Sequence, residues 1–73
     1  MTIRFTSLAD VREFVSIATL QPYSVLVLDG DRAVDAKSFM EMFTLDVTRP
    51  LHVDVGGNEA SFAVAAKKYI CES

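Results

Sequence analysis

Apolar and polar residues follow two rhythms along this chain. Thr2-Ile3-Arg4-Phe5 alternates, as a short half-buried strand does. Leu8, Val11, Phe14, Val15 and Ala18 then recur at helical spacing and predict one buried stripe, with Arg12, Glu13 and Ser16 on the other side. Tyr23 to Leu28 is rich in β-branched and large apolar residues and predicts a central strand, with Arg32 to Asp35 its short edge partner. Leu51-His52-Val53-Asp54-Val55 alternates strictly, so His52 and Asp54 are expected on the face opposite the core. The final periodic segment, Glu59 to about Cys71, predicts a helix burying Phe62, Ala63, Ala66, Tyr69 and Ile70.

Local chemistry marks the boundaries. Ser7 with Asp10 three residues on, and Ser38 with Glu41, are capping boxes, in which the acid reaches back to the serine's own N–H. Pro22 ends the first helix near Leu20 or Gln21. Asp29-Gly30-Asp31 supplies a hairpin turn, Asp46 to Pro50 a loop, and Gly56-Gly57 a sharp turn before an Asn58 N-cap. Amphipathic helices and half-apolar strands in this order predict helices layered on one face of a sheet, an α+β domain spanning residues 1–73.

Composition narrows the function classes. A chain of 73 residues, 51% hydrophobic, is folded and small. A core of that size leaves a net stability of roughly 3–5 kcal/mol. One cysteine (Cys71, expected buried or fraying at the end of the last helix) precludes an internal disulfide, and one histidine beside it cannot complete a zinc ligand set. Seven basic residues without clustering, at a net charge of −3, argue against nucleic acid. The longest nearly apolar run, Tyr23 to Leu28, is too short to span a bilayer, and no signal-peptide pattern follows Met1, so no membrane role and a cytoplasmic location are expected. Nothing suggests an enzyme, a cofactor or a metal.

Ala36-Lys37-Ser38 followed by the short apolar run Phe39-Met40-Glu41-Met42-Phe43, set between a strand hairpin and a further strand and helix, resembles HPr. HPr is the small phosphocarrier of the bacterial sugar phosphotransferase system. The likeness covers nearly the whole chain and is strongest from Phe14 to Val55. It implies an open-faced βαββαβα sandwich: a four-stranded antiparallel sheet in the order 1-4-2-3 with three helices on one face. In many HPr proteins the serine at the place of Ser38 is a regulatory phosphorylation site, and the surface around the short helix docks enzyme I, the kinase and regulators. The resemblance thus marks Ser38 for phosphorylation and Lys37, Phe39, Met40 and Phe43 for partner binding.

The likeness breaks at the phosphoryl acceptor. HPr carries its histidine at the start of the first helix, in a motif of the form Leu-His-Thr-Arg-Pro-Ala. That imidazole is the nucleophile, and a nearby cation holds the phosphate. Here the stretch reads Thr6-Ser7-Leu8-Ala9-Asp10-Val11: Ser7 occupies the histidine position, Ala9 the arginine's and Asp10 the proline's. No catalytic residue remains, and His52, on the far face of a strand, is no ready substitute.

The reading that follows is a regulatory or adaptor protein related to the phosphotransferase system, similar in its missing histidine to Crh-type proteins of carbon catabolite repression. Its partners would be HPr kinase, a transcriptional regulator or other system components. A phosphocarrier with an unconventional acceptor and a structural homo-oligomer are the alternatives. For the last, Tyr23, Leu26 and Leu28 are expected on the outer sheet face, where they would form a homodimer contact.

Overall fold

In the computed structural model, which describes residues 1–71, the chain runs β1 (Thr2–Ile3), α1 (Leu8–Thr19), β2 (Val25–Asp29), β3 (Arg32–Asp35), α2 (Phe39–Met42), β4 (Leu51–Val55) and α3 (Glu59–Ala65). A 3-10 turn over Lys67–Tyr69 follows. The four strands form one antiparallel sheet in the order β1-β4-β2-β3. This is the α+β arrangement expected from the sequence. Alternation puts Ile3, Val25, Val27, Val34, Leu51 and Val53 on the face covered by the helices, and all are buried.

Against that face α1 lays Val11, Phe14, Val15 and Ala18. Phe14 sits at the centre of an edge-to-face aromatic cluster, with ring centroids 5.3 Å from Phe5, 5.7 Å from Phe62 and 6.1 Å from Tyr69. The caps form as their residue types dictate. Ser7, Ser38 and Asn58 side chains accept from the backbone N–H groups of Asp10, Glu41 and Ser61. The β2–β3 turn needs Gly30, whose φ of 60° is the sole positive value among the described residues. Gly56 and Gly57 serve differently. A side chain on either would collide with Ser24 or with the Tyr23 ring, so close packing selects them.

Several expectations need correction. Leu8 is 61% exposed instead of completing the buried stripe. On a helical wheel it falls between Val15 and Arg12, at the margin of the stripe, in the first turn of the helix. Tyr23 lies before β2 and packs against the core, its hydroxyl donating to Gln21 and to the Asn58 carbonyl. It therefore does not belong to the outer sheet face, where Leu26 and Leu28 are half-buried beside His52 and Asp54.

The last helix stops at Ala65, because Tyr69 must enter the aromatic cluster and Ile70 must reach β1. Arg4 N–H donates to the Tyr69 carbonyl, Cys71 N–H donates to the Thr2 carbonyl, and Ile70 bridges Ile3. Cys71 is thus extended and exposed rather than helical, and this segment closes one edge of the sheet. Ala63 and Ile70 are half-buried.

Candidate functional site

α2 is a single turn, too short to hold itself together. Its neighbours hold it. Met42 and Leu45 are anchored in the core, and the Arg32 guanidinium donates to the Thr44 carbonyl and hydroxyl oxygens. At the other end, the Lys37 ammonium donates to the Gln21 carbonyl, at 2.9 Å, tying α2 to the end of α1. Glu41 does not close the capping box: its carboxylate accepts from Asp35 N–H, while Ser38 N–H donates to the Asp35 carbonyl. Those two contacts use both backbone groups of Asp35 at the outer edge of β3. The edge is blunted, and α2 is fixed to it.

Burying Met42 turns the rest of the short helix outward. Phe39 and Phe43, four residues apart, share one side and stack at 5.7 Å, and Met40 is 83% exposed. The exposed Leu8 and Arg12, four apart on α1, face the two phenylalanines. Together the four side chains line an open groove of about 320 Å³ between α1 and α2. Exposed aromatic and methionine clusters of this kind suit adaptable protein contacts.

The residues expected from the sequence divide in two. Phe39, Met40 and Phe43 lie together at the surface, with Ser38 half-buried immediately before them. Lys37, marked with them for partner binding, is half-buried and its ammonium is committed to the Gln21 carbonyl, where it holds the fold. Leu8 and Arg12 are the groove residues that sequence reasoning missed. Their spacing of four was the available signal, since it places them on one flank of α1.

At the start of α1, Ser7 is exposed and accepts from Asp10 N–H at 3.3 Å. The Asp10 carboxylate bonds the Thr6 N–H at 2.9 Å and the Thr6 hydroxyl at 2.7 Å, one residue earlier than the box geometry expected. These bonds, the backbone one first, hold its pKa below the usual 3.8, with Lys68 adding to the effect. The head of α1 therefore carries a charged carboxylate close to the Ser7 cap.

Further along α1, Glu13 pairs with Lys68 at 3.3 Å and lies beside the buried Tyr69 phenol. The Tyr69 hydroxyl has no hydrogen bond of ordinary geometry. Burial chiefly, and the Glu13 carboxylate next, push its pKa far up. Among the described residues no group of three His, Cys, Asp or Glu side chains could hold a metal, and no helix is long and apolar enough to cross a membrane.

No protein-family model, curated protein or solved structure matches this chain.

Proposed function

We propose that this protein is a cytoplasmic regulatory or adaptor domain of the HPr type, without histidine phosphotransfer, that docks protein partners through the surface formed by α2 and the start of α1. The observation that carries the reading is the exposure of Leu8, Phe39, Met40 and Phe43 in one region of a small protein whose other large apolar side chains are mostly buried. Burying such a cluster against a partner is favourable at about 25 cal/mol per Å² of apolar surface. The position of Ser38 at the head of that cluster makes its phosphorylation a means of control. A phosphate there would add negative charge beside the Glu41 carboxylate, with Lys37 already engaged, and would change both the charge and the hydration of the docking surface. Onward phosphoryl transfer is disfavoured at Ser7, since a serine phosphate is a poor donor and Asp10 repels the incoming group.

The test is an amide NMR titration of the protein, with and without phosphate on Ser38, against a carbon-catabolite transcriptional regulator of the kind HPr proteins bind. Shifts centred on Phe39, Met40 and Phe43, and lost in Phe43→Ser, are the expected result. Shifts centred on the outer sheet face around Leu26 and His52 would move the docking surface and overturn the assignment.

A further inference from the structure

Residues 67–71, a strap laid along β1 after α3, are attached to the fold by few and separable contacts. At Ala66 the backbone leaves helical geometry (φ −103°, ψ 14°), and the 3-10 turn over Lys67–Tyr69 has no side-chain cap. Two backbone hydrogen bonds then join the strap to β1. Arg4 N–H donates to the Tyr69 carbonyl at 2.9 Å, and Cys71 N–H donates to the Thr2 carbonyl at 2.8 Å. The Lys68–Glu13 pair adds little, since both side chains are more than half exposed. Tyr69 is the one buried side chain among residues 67–71.

Tyr69 is an imperfect anchor. Its ring packs edge to face on Phe5 and Phe14, but its hydroxyl, buried beside the Glu13 carboxylate, has no hydrogen bond of ordinary geometry. A buried phenol left unpaired favours any state that returns it to water. Beneath the strap, β1 has support of its own. Thr2 and Ile3 pair with His52 and Leu51 of β4, and Val53 N–H donates to the Met1 carbonyl.

We propose that residues 67–71 open as a unit while the four-stranded sheet and its helices stay folded, and that this opening controls access to the β1 edge. Closed, the strap occupies Arg4 N–H and the Thr2 carbonyl, the groups through which β1 would pair with another strand. Open, it returns the Tyr69 phenol to water and frees that edge for an extended segment to add as a strand. The strap shares no residue with the α2 surface, so either can fail without the other.

Native-state hydrogen exchange on the full chain tests it, followed amide by amide by NMR in increasing urea below the unfolding transition. Arg4 and Cys71 report the strap. Val53, bonded to Met1, reports β1 against β4, and Ala66, bonded to Phe62, reports α3. The expected result is protection at Arg4 and Cys71 about tenfold or more below that at Val53 and Ala66. It should depend weakly on urea, against a steep fall at the two reference amides. Tyr69→Phe, which removes only the unpaired hydroxyl, should raise protection at Arg4 and Cys71 about tenfold. Equal protection and equal urea dependence at all four amides would mean that the strap opens only with the whole domain, and would overturn the proposal. Low protection at Cys71 alone is fraying of one residue, and Val53 falling with Arg4 is β1 peeling away with the strap; either result overturns it too. So does a Tyr69→Phe protein in which Arg4 exchanges as before.

Discussion

Two aromatic clusters in this protein do opposite things. Phe5, Phe14, Phe62 and Tyr69 meet edge to face under α1, every one of them buried. Phe39 and Phe43 meet at a similar distance on α2, 38% and 51% exposed. The residue types and the ring separations are alike. What differs is the length of the supporting helix. α1 has twelve residues, enough to turn a whole stripe toward the sheet, whereas α2 has four and can bury only Met42. A one-turn helix carrying four large apolar residues leaves most of them in water. In one cluster aromatic area stabilises the chain; in the other it is left in water, where the proposed docking would cover it.

The largest expected effect breaks the buried cluster. Phe14→Ala removes the ring on which the other three converge and should cost about 3–5 kcal/mol. That is close to the whole stability of a domain this small, so urea unfolding should show a largely unfolded chain without denaturant. Phe43→Ser sharpens the contrast. It should shift the unfolding free energy by no more than about 0.5 kcal/mol, yet weaken partner binding by about tenfold or more. A stability loss equal to that of Phe14→Ala would erase the distinction between the clusters. Ser38→Ala removes the N-cap of α2 and should cost on the order of 1 kcal/mol by the same unfolding assay.

Smallest is the acid response at the head of α1. Asp10 has a lowered pKa, so its charged form stabilises the fold above its ordinary value of 3.8, and that contribution is lost as pH falls through the lower folded value. Wild type should therefore lose more stability than Asp10→Asn on acidification from about pH 5 to about pH 2. Parallel pH curves for the two proteins would contradict the Thr6–Asp10 bonds.

The sequence disclosed whatever is decided by neighbours in the chain. Ser7, Ser38 and Asn58 cap their helices because a cap is made within three residues, and the alternation of Leu51 to Val55 set the facing of β4. It also marked Phe39, Met40 and Phe43 as too many apolar groups for one turn. Features decided by distant parts of the chain were not legible. Leu8 looks like a core residue by spacing until it is seen exposed beside Phe39 and Phe43. Tyr23 reads as a strand residue until Gly57 is brought against its ring. The path of residues 66–71 answers to the β1 edge, some 65 residues away in the chain. Arg12 is an ordinary surface arginine by spacing alone. It becomes a groove residue only when α2 is placed opposite.

The central claim is that the chain is regulated and docked upon but does not relay phosphate. Intact mass tests it most directly, after separate incubations with phosphoenolpyruvate and enzyme I and with ATP and an HPr kinase. A gain of one phosphate with ATP alone, abolished in Ser38→Ala, is the predicted result. A gain with phosphoenolpyruvate would contradict the account and turn the search to an acceptor other than histidine at the start of α1.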